Sequence, residues 1–128
     1  VRFGVHSDDP ITEVNPLFSA WCACNRKSGI SGKVYGEDQC LTADEAMRCI
    51  TLNAAWLLHL EDGSVDETGK WADFTVLAEE VTEANKATMK DIEIIGTVSG
   101  GVINNVNSLN NDQRTAAIAA VLFVIAAQ

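Results

Sequence analysis

Asp8 and Asp9 stand where a short apolar run, Val1-Arg-Phe-Gly-Val5, passes through His6 and Ser7 and meets Pro10. Neighbouring carboxylates in such a place can ligate a metal ion or carry a proton. Val1, Phe3 and Val5 alternate at the period of a strand, which predicts one over residues 1–7. Pro10 ends it, because proline has no N–H to give to a ladder. The carboxyl ends of buried parallel strands are where metal ligands and proton-transfer groups collect, so Asp8 is the first site candidate and Asp9 the second. The plainer structural reading is that either carboxylate merely caps the turn before the next helix. His6 shares strand parity with Asp8 and would face the same cavity.

The composition sets the class of molecule. The 128 residues are 47% apolar and 21% charged, the balance of one soluble globular domain. Lys and Arg number 9 against 18 Asp and Glu, a net charge of −9 that repels phosphate backbones and anionic lipid. Nucleic acid is therefore excluded as a partner. The four cysteines, Cys22, Cys24, Cys40 and Cys49, form no C-x-x-C pair and lack a histidine at zinc-finger spacing. They read as buried reduced thiols. With no secretory signal pattern and no N-glycosylation sequon, they predict a cytoplasmic protein.

The elements that must position the carboxylates follow from caps and periodicity. Asn15-Pro16 is a helix start, the asparagine accepting from free N–H groups and the proline giving up a donor that had no partner. Leu17, Phe18 and Trp21 share a face of that helix. Ser28 to Asp38, with three glycines, reads as a loop. Thr42-Ala-Asp-Glu45 matches a capping box and predicts a second, longer helix. Its apolar stripe is Ala46, Met47, Ile50, Ala54, Leu57 and Leu58, which needs a partner layer. His59, near its end, reads as solvent-facing or bonded to a carbonyl.

Phe74-Thr-Val-Leu77 and Ile92 to Val98 are rich in β formers, and Gly100-Gly101 turns the second towards Val102-Ile103 as a hairpin. Glu79 to Lys90 is polar and acidic and reads as a surface excursion. Five asparagines lie between Asn104 and Asn111 and read as a linker. The apolar tail 115–127, as a helix, would span about 20 Å at about 1.5 Å per residue, short of the roughly 30 Å of a bilayer core. It is expected to pack on this protein or on a partner, with a homo-oligomer as one outcome.

Four of these stretches, His6-Ser-Asp-Asp-Pro10, Val14-Asn-Pro-Leu17, Leu41-Thr42 with Asn53-Ala-Ala55, and Gly69-Lys-Trp-Ala-Asp-Phe-Thr-Val-Leu77, occur in an order that resembles the carboxyl-terminal part of the metal-dependent amidohydrolases. The chain is most similar to amidohydrolase family 3, over roughly residues 1 to 103. The resemblance implies an α/β fold: the last strand and closing helices of a (β/α)8 barrel over 1–60, strands of a small β-sandwich over 61–103, and a linker and tail helix over 104–128. It further implies a divalent metal, zinc, and hydrolysis of a small-molecule amide, N-acyl or N-formyl bond. Asp8 matches the aspartate that follows strand eight of the barrel, which ligates or adjoins the metal, holds the attacking water and passes its proton to the leaving amine. Where His6 stands the family more often has glycine, and the resemblance assigns His6 no role.

A (β/α)8 barrel takes about 250 residues. This chain has one of its eight strands, and its only histidines are His6 and His59. It is therefore expected to be a fragment whose remaining barrel comes from upstream sequence or another chain. Two classes of function follow: part of a hydrolase completed elsewhere, or a noncatalytic module that packs or oligomerises.

Overall fold

The computed structural model describes residues 1–60 and 68–104. They fall into two compact units, Val1–Leu60 with Val81–Asp91, and a second drawn from 68–80 and 92–104.

The first unit is built on α1 (Pro16–Asn25), α2 (Ala43–Ile50) and α3 (Leu52–Leu57). The start of α1 is as expected: Phe18 N–H donates to Asn15 Oδ1 at 3.0 Å, and Pro16 occupies the first helical position. The thread between α1 and α2 is mostly irregular, with a bridge between Lys27 and Val34 and a 3₁₀ turn at Glu37–Gln39. The capping box of α2 forms in full. Glu45 N–H donates to Thr42 Oγ1 at 3.2 Å, while Glu45 Oε2 accepts from Thr42 N–H at 2.9 Å.

The core between α1 and α2 is made mostly of small side chains. Leu17, Ala20 and Cys24 on α1 and Ala43, Ala46 and Cys49 on α2 are all buried, each set spaced at three or four along its helix. The single long helix expected from Thr42 onward is two helices. Thr51 breaks it at φ −123° and ψ −95°, and its hydroxyl donates to Met47 C=O at 2.7 Å, competing with the helical ladder. The break changes the phase of the stripe. Ala46 and Ala55 are buried, but Leu57 and Leu58 are exposed.

Two further expectations are corrected. Residues 1–7 form no strand. A strand exists only through a neighbour that takes up its N–H and C=O groups, and the described residues supply none. Residues 81–91 are not a surface excursion: Met89, in the 3₁₀ turn Met89–Asp91, is fully buried. Trp21 Nε1 donates to Ala87 C=O at 2.8 Å and Asn25 Nδ2 to Lys86 C=O at 3.0 Å, which ties the segment to α1. Polar composition concealed it, because its attachment uses main-chain carbonyls, the Glu83 carboxylate and a single buried apolar anchor.

The second unit is a three-stranded antiparallel sheet in the order β1 (Phe74–Leu77), β2 (Ile94–Ser99), β3 (Val102–Asn104). Phe74 pairs with Val98 and Val76 with Gly96, the register shifting between Val76 and Leu77. Val98 pairs with Ile103. The hairpin turn falls on Gly100 and Gly101 at φ 55° and 80°, a pair of positive values that glycine adopts freely. Asn104, placed with the linker by composition, is the last residue of β3. The asparagine-rich stretch beyond it and the tail 115–127 lie outside the described residues. No helix among those described is long and apolar enough to cross a membrane.

Candidate functional site

The segment that carries the carboxylates is held at both ends. Near its start, Arg2 Nε donates to Asn53 Oδ1 at 3.1 Å, and the Arg2 guanidinium lies 4.9 Å from the centre of the Trp56 ring. Asn53 Nδ2 donates in turn to Phe3 C=O at 2.8 Å, so one α3 side chain clamps two successive residues. Gly4 then passes flush against the helices: a Cβ there would come within 2.9 Å of Leu57 Cδ1 and 3.2 Å of Cys49 C=O.

Past Val5 the chain turns sharply. Ile11 N–H donates to Asp8 C=O at 2.8 Å, and the Asp9–Pro10 peptide is cis. Thr12 Oγ1 donates to Ser7 C=O. Asp8 lies in the left-handed region at φ 55°, which aspartate tolerates better than most residues. Its N–H donates to His6 Nδ1 at 3.0 Å. That bond joins the His6 side chain to the Asp8 main chain, and the shared cavity expected from strand parity is not formed, since His6 lines the concavity beside α1 and Asp8 does not. Both Asp8 and Asp9 are exposed, and neither carboxylate caps α1, a task that Asn15 performs.

Beside the turn, residues 1–12 and α1 enclose an open concavity of about 480 Å³. Its wall includes Phe3, His6, Ser7, Phe18, Cys22 and Arg26, an apolar floor with a few polar groups at its rim. Arg26 spends its Nε on Tyr35 C=O at 2.6 Å. Asp8 is not part of the wall.

The cysteines do not form a reactive centre. All four are free, Cys24 and Cys49 buried, Cys40 half-buried and Cys22 exposed, so burial holds for two of the four. Burial pushes the Cys24 thiol above its ordinary range, with the Lys86 ammonium opposing it, and a thiol held protonated is a poor nucleophile. His59 is exposed just past the end of α3, in keeping with its plain reading.

Asp73, the acid of the Gly69-Lys-Trp-Ala-Asp73 run, has a structural task. Its Oδ1 accepts from Gly100 N–H at 2.6 Å, and Gly101 N–H donates to Ala72 C=O at 3.0 Å, which pins the β2–β3 turn to the start of β1. Arg2, Asn53 and Thr12 are the residues that sequence reasoning passed over. Asn53 had drawn notice only as part of a motif, since nothing in one sequence says that an amide on a helix meets a carbonyl 50 residues away.

A divalent ion needs several ligands converging within about 2.0 to 2.6 Å. Among the described residues no three of His, Cys, Asp or Glu cluster to hold one. Asp8 does not make a metal site by itself.

Comparison with known proteins supplies what this geometry leaves open. The chain is 30% identical over 105 residues to an N-substituted formamide deformylase of Arthrobacter pascens, a match over 80% of this chain and 19% of that protein. It is 37% identical over 101 residues to YtcJ of Bacillus subtilis (strain 168), named as an amidohydrolase, over 76% of this chain and again 19% of the relative. The chain thus spans about a fifth of the length of these relatives. No solved structure matches it. The family model described as the amidohydrolase family matches residues 1–104, from the Asp8 segment to the last residue of β3, and on that match the chain belongs to the amidohydrolase family.

Proposed function

We propose that this chain is part of a metal-dependent hydrolase that cleaves a non-peptide C–N bond in a small amide, with Asp8 as its proton-carrying group. The observation that carries the reading is the family match, which spans residues 1–104 and so includes the turn that presents Asp8. An N-substituted formamide is the substrate class proposed, after the Arthrobacter pascens relative. On this reading Val1 to Ser7, which has no ladder among the described residues, pairs as the last strand of a (β/α)8 barrel once the neighbouring strands are present, α1 to α3 close it, and β1 to β3 belong to a small sandwich. The rest of the barrel, about 250 residues in full, comes from polypeptide outside these 128 residues. So do the ligands for the divalent metal, proposed as zinc, since Asp8 alone does not hold it. Four free thiols favour a reducing, cytoplasmic setting.

The chemistry suits a carboxylate. As the oxygen of the attacking water bonds to the amide carbon, Asp8 takes the proton that the water gives up. As the C–N bond breaks, it returns that proton to the departing nitrogen, and acid and amine leave. Such proton transfer contributes about 10²- to 10⁴-fold. Asp8→Asn in the intact hydrolase should therefore cut turnover of an N-substituted formamide by at least about 10²-fold. Near-normal turnover would remove Asp8 from the mechanism.

One observation favours a second reading, a noncatalytic module that packs or oligomerises. Asp8 is exposed and no metal-ligating cluster surrounds it among the described residues. A monodisperse, metal-free 13.7 kDa chain with cooperative unfolding and no amidase activity would support it.

A further inference from the structure

We propose that His6 is a positioning residue, whose Nδ1 holds Asp8 in the left-handed conformation that aims its carboxylate out of the turn. The inference rests on the assignment of Asp8 as the proton-carrying group. Three contacts converge on residues 7 and 8. Thr12 Oγ1 holds Ser7 C=O, Ile11 N–H holds Asp8 C=O at 2.8 Å, and His6 Nδ1 accepts Asp8 N–H at 3.0 Å. The first two fix the carbonyl groups on either side of the Asp8 nitrogen. Ser7 C=O and Asp8 N–H share one peptide plane, so Thr12 and His6 together orient that plane, Ile11 orients the next, and φ of Asp8, 55°, is a torsion between the two.

An L-residue reaches this region only when local bonds offset the crowding between its Cβ and the backbone. A side-chain acceptor two residues upstream is such a bond. Aspartate and asparagine make the equivalent bond in turns with their own oxygen atoms. Here the imidazole of residue 6 makes it, and the Asp8 oxygens take no part in that bond. An acceptor Nδ1 is an unprotonated nitrogen, so the ring hydrogen resides on Nε2. Glycine at position 6 would have no acceptor to offer. His6 also lines the concavity beside α1, so a substitution there alters the wall and the aim of Asp8 together.

Nuclear magnetic resonance of the full chain tests this directly, with the α1 and α2 amide resonances as the control for folding of the unit that holds His6 and Asp8. A scalar coupling across the hydrogen bond between the Asp8 amide nitrogen and His6 Nδ1 is expected, as is the strong intraresidue HN–Hα contact of a positive φ at Asp8. His6→Ala should abolish both and speed exchange of the Asp8 amide by roughly fivefold, the factor that one exposed hydrogen bond is worth. His6→Asn places an oxygen where Nδ1 stood and should restore the positive φ and the slow exchange. A positive φ that survives in His6→Ala, or one that His6→Asn fails to restore, would overturn the proposal. The readout is backbone geometry, so normal turnover in Asp8→Asn would count against the hydrolase reading and not against this one.

Discussion

Glu83 caps a helix to which it does not belong: its Oε1 accepts the backbone N–H of Ala43, the first residue of α2, from 40 residues further along the chain. With Thr42 and Glu45 already serving that end, three side chains answer its free donors. Lys86 Nζ stands 2.7 Å from the other Glu83 oxygen, so the carboxylate is held between a helix end and an ammonium. The pair with Lys86, then the Ala43 N–H, lower the Glu83 carboxyl below its ordinary value of 4.5. Bonds from the Thr42 backbone and side chain do the same for Glu45. A carboxyl depressed in the folded state contributes stability that is fully present above its unfolded value and is lost as pH falls through the folded one. Stability measured against pH should therefore fall below that value of 4.5 and level off above it towards neutral pH, and Glu83→Gln should flatten the decline. A decline of equal size in the variant would show that Glu83 is not a source of it.

Met89 is the one large side chain of the 81–91 segment that is fully buried. Met89→Ala should destabilise the first unit by about 2 to 5 kcal/mol, read as a shift in the denaturant midpoint. The same substitution at half-buried Lys90, whose ammonium lies 5.8 Å from the centre of the Trp21 ring, should cost no more than about 1 kcal/mol. Equal effects at both positions would mean that the segment rests on its polar contacts and not on Met89.

Gly4 has room for a hydrogen and little else. Gly4→Ala would press a methyl against Leu57 Cδ1 at 2.9 Å and Cys49 C=O at 3.2 Å. The leucine tip can swing aside, whereas the helix carbonyl gives only by moving the segment. The expected outcome is a loss of about 1 to 3 kcal/mol, with chemical-shift changes spreading from Phe3 to Asp8. Gly4→Ala combined with Leu57→Ala should recover only part of it.

Leu57 is half exposed and Leu58 more so. Leu57→Ala should consequently cost less than about 1 kcal/mol in this chain. The roughly 2 to 5 kcal/mol of a core leucine would appear only where another layer covers the stripe. A core-sized loss in the chain alone would show that the face is already covered.

Much of the local structure was legible because it depends on neighbours in sequence. Asn15-Pro16, the Thr42/Glu45 box and the Gly100-Gly101 turn each place a donor beside an acceptor, or a free φ where a turn needs one, within four residues. The family was legible for a similar reason, as short stretches such as His6-Ser-Asp-Asp-Pro10 and Gly69-Lys-Trp-Ala-Asp73 carry it in a fixed order. Less of the site could be read. Strand alternation placed His6 and Asp8 on one cavity, yet only His6 lines the concavity, and what joins the two is the Asp8 main-chain N–H in a turn at positive φ that no alternation foretells.

What the amino-acid order determined by itself was therefore the caps, the hairpin, the charge and the family. Tertiary structure alone decided that Asn53 clamps Phe3, that Glu83 finishes α2, that Met89 fills the core and that residues 1–7 stand without a ladder. The physical reason is the range of the partners. A cap or a turn finds its hydrogen-bond partner a few residues away, whereas a clamp, a core contact or a strand needs a surface that exists only once distant segments have met.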